Sequence, residues 1–208
     1  MNSRVDHVVY AVKNLDEAVE DLYQKLGVKP SYGGRHLDHG TKNALLDLGD
    51  QCYLEIIAID ETKEKANHPH WMGLDLIEHN KVTRWCVKTA NIKEDARALG
   101  QYKEELGEIV EGSRRTADEK LLKWKMTQPL DRPEVEIVPF VVDWSESEHH
   151  PTDQLEAKCK FMCIEFYHTE PKTIHTVLKH FRDDVDLKKG DRNAIYLYIE
   201  SPKGIIKL

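Results

Sequence analysis

The stretch Val5-Asp6-His7-Val8-Val9-Tyr10-Ala11-Val12, followed after one lysine by Asn14-Leu15-Asp16-Glu17-Ala18, decides how the whole chain is read. Its first part is rich in β-branched residues and predicts a strand. Its second part opens a helix whose apolar face is Ala18, Val19, Leu22 and Leu26. Asn14 can accept backbone N–H groups at the helix start, Asp16 and Glu17 suit the positive first turn, and Gly27 can end the helix in a left-handed turn. Working outward, Gly33-Gly34 opens a loop, Ala44 to Leu48 reads as a buried strand, Gly49-Asp50 as a turn, and Tyr53 to Ile59 as the next strand. Residues 4–60 thus spell one βαβββ unit.

The same text returns 77 residues later. Thr83 to Thr89 is strand-like, and Asn91-Ile92-Lys93-Glu94-Asp95-Ala96 repeats the cap and the apolar spacing. This helix is expected to run to Leu106-Gly107. Glu108 to Val110, Leu121 to Met126 and Val135 to Val142 are the strands expected after it. Two units of this size, 4–60 and 82–144, are each too small to bury a sheet face alone and should share one core. A third, partial echo follows. Phe161 to Tyr167 predicts a strand, Pro171 to Phe181 a helix, and Ala194 to Ile199 a strand running into the turn Ser201-Pro202-Lys203-Gly204.

The predicted class is therefore α+β, with tandem βαβββ modules and a partial third module at the C-terminus. The expected division is a paired unit over 1–145, a polar linker over 146–157 carrying His149-His150-Pro151, and a partial βαββ module over 158–208 packed on the same domain. The charged stretch Thr62 to His70 reads as solvated loop.

Composition narrows the function classes. With 30 Lys and Arg against 37 Asp and Glu, the net charge is −7, and the lysines are scattered; neither favours a nucleic-acid partner. No apolar run approaches the roughly 18 residues of a membrane span, and Met1 to Lys13 has no signal-peptide pattern, so a cytoplasmic protein with no membrane partner is expected. Cys52, Cys86, Cys159 and Cys163 form no Cys-x-x-Cys pair and read as reduced core residues. The chain has no Gly-x-Gly-x-x-Gly after a strand, no P-loop and no Gly-x-Ser-x-Gly elbow, which removes support for dinucleotide, nucleoside triphosphate and serine hydrolase chemistry.

The tandem units opening with Asp6-His7-Val8-Val9 resemble the vicinal oxygen chelate superfamily of glyoxalases, bleomycin resistance proteins and extradiol dioxygenases. Several runs narrow the likeness to the glyoxalase-like domain proteins. They are Gly33-Gly34-Arg35-His36, Gly40-Thr41-Lys42-Asn43-Ala44-Leu45-Leu46, Tyr53-Leu54-Glu55-Ile56-Ile57, Trp85-Cys86-Val87-Lys88-Thr89, Ser113-Arg114, Trp124 and Pro139-Phe140. The resemblance implies that the modules form a curved, partly closed mixed sheet. In that superfamily the first and last strands of a unit each give one ligand to a divalent metal inside the curved sheet. The resemblance places His7 and Glu55 at those positions, and His36 can complete two histidines and a carboxylate, a set suited to non-haem iron. Fe, Mn, Ni or Zn is the implied cofactor, with a metal-free pocket using the same residues an equal alternative.

Strand alternation puts Glu55 on the face of Tyr53 and Ile57, where a charge among apolar neighbours needs a partner. The second unit departs from the pattern. Arg84 stands where a counterpart of His7 is expected, and an arginine offers donors only. Half of the usual ligand set is missing. Glu55 and His7 are the candidate catalytic residues. His36, Arg84, Arg114, Trp124, Asn43 and Tyr53 are the candidate substrate-binding residues, while Trp85 and Trp144 are further candidate pocket walls or core. The implied function is a pocket for a small, oxygen-rich anionic molecule, in a lyase, isomerase or dioxygenase or else in a non-catalytic binding or resistance protein. A homodimer is the expected assembly.

Overall fold

In the computed structural model, the structure describes residues 4–36, 39–62, 70–115, 121–182 and 185–208. The first unit is β1 (Arg4–Ala11), α1 (Leu15–Leu26), β2 (Ser31–His36), β3 (Thr41–Asp47) and β4 (Tyr53–Ile59). The second is β5 (Lys81–Lys88), α2 (Ile92–Tyr102), β6 (Ile109–Arg115), β7 (Leu121–Thr127) and β8 (Phe140–Asp143). Together they make one curved, nearly closed eight-stranded sheet in the order β2-β3-β4-β1-β5-β8-β7-β6. Each unit pairs its first strand with its last in parallel, β1 with β4 and β5 with β8, and β1 meets β5 antiparallel at the centre. The strand order reads alike from either end.

Both faces of this sheet are buried, for different purposes. On the helix side, Val8, Leu22, Leu26, Leu54, Ile56, Trp85 and Val87 form a core that runs on into Phe166, Ile174, Phe181 and Leu197. Those last residues belong to β9 (Lys160–His168), α3 (Pro171–Phe181) and β11 (Ala194–Ser201). With β10 (Asp186–Lys189) and β12 (Gly204–Lys207), these strands form a second sheet in the order β10-β9-β11-β12. The concave side carries a separate apolar cluster, including Val9, Ile57, Cys86, Met126, Phe140 and Val142.

Several sequence expectations need correction. The third unit is a full βαβββ by element order, because β10 and β12 exist. Its strand order differs from that of the first two, since β10 pairs parallel with β9, next to it. Gly33-Gly34 lies within β2 at a bulge, not in a loop. α2 ends at Tyr102, and a separate 3-10 turn covers Glu104–Gly107. β8 begins only at Phe140: residues 135–139 are irregular, and Pro139, lacking an N–H, cannot join a ladder. Cys163 is exposed, whereas Cys52, Cys86 and Cys159 are buried. Of the charged stretch Thr62 to His70, residues 63–69 lie outside the described residues. Among the described residues, no helix is long and apolar enough to cross a membrane.

The 146–157 stretch joins the two sheets without being a solvated tether. It carries a 3-10 turn over Pro151–Gln154, and His150, Pro151 and Thr152 are buried. His150 caps that turn in a reciprocal box, its ring accepting from the Thr152 N–H while the Asp153 carboxylate accepts from the His150 N–H.

Candidate active site

Alternation along the strands brings inward-facing side chains from both units around one cavity of about 40 Å³ on the concave side. That is room for about three or four water-sized groups, the head of a small molecule. The first unit supplies His7, His36, Asn43, Tyr53 and Glu55; the second supplies Arg114, Trp124, Met126, Phe140 and Val142. Leu45 of the first unit, Trp71, Trp144 and Pro151 complete the wall.

Glu55 sits at the centre of the polar side. Asn43 donates from Nδ2 to its Oε1 at 2.7 Å, the partner that a buried carboxylate needs. His7 Nε2 lies 3.7 Å from Glu55 Oε2, and His36 Nε2 lies 3.9 Å from Oε1. The His36 Nδ1 is engaged with the Thr41 hydroxyl at 2.9 Å. Burial pushes the His36 imidazole down to about 4, with Glu55 opposing and Arg114, His39 and His7 assisting, so this ring is neutral at neutral pH. The His7 ring stacks on Tyr53 at 4.7 Å and meets the edge of Phe140 at 5.3 Å.

Behind His7 stands Asp6, fully buried. A regular strand would send neighbours 6 and 7 to opposite faces. The register of β1 against β5 shifts between Val5 and His7, and this bulge lets Asp6 reach the ring beside it. Asp6 Oδ1 accepts from His7 Nδ1 at 2.7 Å. Its Oδ2 accepts from Trp144 Nε1 at 2.9 Å and from His150 Nε2 at 3.2 Å. Burial pushes the Asp6 carboxyl up, but the hydrogen bonds from His150 and His7 and their charges outweigh it and hold the group at about 2. It is a carboxylate at neutral pH.

Arg114 is the cavity's cation. It stands on β6 and donates to the Gly33 carbonyl on β2, so the two strands at opposite ends of the sheet order meet at this residue. Burial lowers its pKa, against the pull of Tyr53 and Glu55. Two glycines make room. A Cβ on Gly33 would overlap Asn43 Oδ1, and one on Gly112 would overlap the Trp124 indole that lies across it.

The fit of a metal can be judged from the donor atoms. Two ligands each about 2.1 Å from one ion lie at most about 4.2 Å apart. Glu55 satisfies this with each histidine separately, yet the atoms of His7, His36 and Glu55 do not all fall within 4.8 Å of one another. Among the described residues the set that does is Asp6, His7 and Cys86. There Asp6 is already occupied by three N–H donors, and burial pushes the Cys86 thiol well up, away from the thiolate a metal needs. Neither trio, as placed, fits a three-ligand centre.

The profile of the glyoxalase-like domain family matches residues 5–181, from the first strand through α3. The chain belongs to the glyoxalase-like domain family. Among solved structures, a hypothetical protein from Staphylococcus aureus is 16% identical and shares the fold with a TM-score of 0.64, covering 98% of this chain and 97% of its own. Methylmalonyl-CoA epimerase from Mycobacterium tuberculosis is 18% identical, with 67% of this chain and 86% of its own covered and a TM-score of 0.42. A Streptomyces coelicolor methylmalonyl-CoA epimerase in complex with 2-nitronate-propionyl-CoA is 16% identical, with 72% and 99% covered and a TM-score of 0.44. No curated protein matches.

In this glyoxalase-like chain, all the candidate site residues except Arg84 line the one cavity. The Arg84 guanidinium instead donates to the carbonyls of Thr83, Leu130, Arg132 and Glu134 and fastens the irregular segment before β8. Burial lowers its pKa to about 10, so it remains a cation, satisfied by backbone oxygens. Trp85 is core on the helix side, donating to the Ile137 carbonyl at 2.7 Å. His39 stacks on Trp71 at 4.3 Å.

Asp6, His150 and Trp71 escaped the sequence reading of the site, as did the apolar lining residues Leu45, Met126, Val142 and Pro151. Asp6 was hidden by strand alternation. His150 was masked by its polar surroundings, although His150-Pro151-Thr152-Asp153 is a legible capping pattern. Trp71 lies outside every predicted element. It enters the wall through a turn in which Met72 and Gly73 are both left-handed, at φ 58 and 64. Among the described residues its buried Nε1 has no hydrogen-bond partner.

Proposed function

We propose that this chain is a cytoplasmic enzyme of the lyase or isomerase type. It would take the head of a small, oxygen-rich anionic carbonyl compound into the cavity and move a proton on it. The observation that carries this reading is the approach of His7 Nε2 to Glu55 Oε2, 3.7 Å apart in a buried cavity that also holds the Arg114 cation. Glu55 acts as general base on a C–H next to the carbonyl, His7 accepts that proton at Nε2 and returns it to the enolate, and the Asp6 carboxylate balances the imidazolium in between. Arg114 offsets the substrate's charge, Asn43 orients Glu55, and Tyr53 and Trp124 bound the apolar part. His36, neutral, offers a hydrogen bond to a substrate oxygen. Dioxygenation needs an iron-binding trio, and His7, His36 and Glu55 do not converge for one.

Hydrogen–deuterium exchange of small 2-oxo acids and hydroxy acids in D2O, followed by proton NMR, tests this reading. Exchange lost by a factor of at least about 100 in Glu55→Gln supports it. Repeating the assay with added Fe(II), Mn(II), Ni(II) or Zn(II) separates metal-free from metal-assisted turnover. A melting temperature raised by these compounds without exchange would sink the enzyme reading and favour a binding or resistance protein with the same pocket. The expected assembly is a homodimer, without nucleic-acid or membrane partners; sedimentation velocity checks it.

A further inference from the structure

We propose that Trp144, directly after β8, and His150, in the stretch that joins the two sheets, are positioning residues for His7. Through Asp6 they fix the His7 ring in the tautomer that keeps its proton on Nδ1 and leaves Nε2 bare toward Glu55. The inference rests on the reading of His7 as the proton carrier.

The proton positions follow from donors and acceptors. His150 Nδ1 meets the Thr152 N–H at 3.3 Å and the Thr152 hydroxyl at 2.8 Å, while Nε2 faces Asp6 Oδ2 at 3.2 Å; because a carboxylate only accepts, the proton of the neutral ring sits on Nε2. The Trp144 indole can only donate, and it does so to the same oxygen at 2.9 Å. With Oδ2 taken twice, Oδ1 is the oxygen left for His7, and a carboxylate can only accept there. Nδ1 of His7 must then carry the proton. A histidine's free nitrogen is set by the bond that its other nitrogen makes, and a charge-assisted bond of this kind favours one tautomer by on the order of tenfold or more.

The two rings that hold Asp6 also enclose the site. Trp144 lines the cavity beside Trp124 at 5.6 Å, and His150 meets the Tyr53 ring edge-on at 5.9 Å. The bare nitrogen of His7 thus depends on a segment more than 130 residues downstream being docked, its two contacts to Asp6 spanning 138 and 144 positions.

The full chain labelled with 15N-histidine tests this by long-range 1H–15N correlation spectra at neutral pH, with His7 assigned by the signal lost in His7→Asn. The expected wild-type pattern is protonated Nδ1 and unprotonated Nε2. His150→Ala and Trp144→Phe should each shift His7 toward a mixture of tautomers, and Asp6→Asn, which can donate, should reverse it. His150→Gln, which restores an N–H near the same place, should bring the wild-type pattern back. The His36 signals report that the variants remain folded. A wild-type His7 protonated on Nε2, or a tautomer unmoved in both His150→Ala and Trp144→Phe, would overturn the proposal. No turnover is needed for this readout, so failure to find a substrate leaves it intact. Where turnover is found, His150→Ala should lower kcat while KM stays within about twofold.

Discussion

The two βαβββ units of the large sheet have the same topology and different contents. In the first, the concave positions carry the polar groups His7, His36, Asn43, Tyr53 and Glu55 among Val9, Leu45 and Ile57; in the second, the matching face carries Trp124, Met126, Phe140 and Val142 with the cation Arg114. The apolar pattern on the helix side is what the fold requires, and both units keep it. The concave side is free to differ, because a cavity needs walls as well as polar groups. Arg84 shows how far the difference goes. At the position 77 residues after His7, a charged side chain is present but serves as a backbone clamp. Sequence correspondence between repeats therefore identifies a place in the sheet and leaves its task open.

Substitutions in each half test the difference between the two units. Arg84→Ala strips four carbonyls of their cation and should destabilise the chain by about 3–5 kcal/mol in urea unfolding, while leaving ligand binding by the folded protein unchanged. Equal loss of ligand binding would put Arg84 back in the site. His36 tests the polar half by pH. Its folded pKa, about 4, lies below the ordinary 6.5, so the unfolded chain binds the extra proton between those values. The stabilisation is complete above pH 6.5 and is lost as pH falls toward 4, by about 3 kcal/mol at most. His36→Asn should flatten that part of the stability profile, and a slope unchanged in the variant would place its origin elsewhere.

Smaller effects are expected where the units differ in packing or capping. Gly112→Ala should cost about 1–3 kcal/mol and displace Trp124, visible in near-ultraviolet circular dichroism. Asn14 and Asn91 look equivalent in the sequence, but only Asn14 accepts from the N–H groups of Asp16 and Glu17. Both amides donate to the acid three residues on, Asn91 to Glu94 at 2.7 Å and Asn14 to Glu17 at 3.3 Å. Asn14→Ala should cost about 1 kcal/mol and Asn91→Ala less than about 0.5. Equal losses would mean that the two helix starts are held alike.

Much of this was legible beforehand. The strand Tyr53–Ile59 and the helix Pro171–Phe181 have the bounds the sequence predicts, because the strand is an apolar run with Glu55 as its one charge and the helix opens on Pro171 and keeps its apolar spacing through Phe181. The inward direction of Glu55 followed from alternation in β4, whose register is regular against β3. Legibility failed where the pattern is broken. The short strands β10 and β12 carry few apolar residues, and 135–139 reads as strand although Pro139 and the Arg84 clamp make it irregular.

Local period and repeat were enough to fix the twofold βαβββ plan, the helix-side core and the shared face of Tyr53 and Glu55, whereas His7 and Asn43 were singled out only by the family resemblance. Tertiary structure alone decided which groups act together. One extra residue in β1 turns Asp6 to the same side as its neighbour, and a distant segment supplies His150 and Trp144 to hold it. Period-two alternation carries no information about a bulge, and no local signal ties position 6 to position 150. Only the packed chain, which must satisfy every buried donor and acceptor, brings them together.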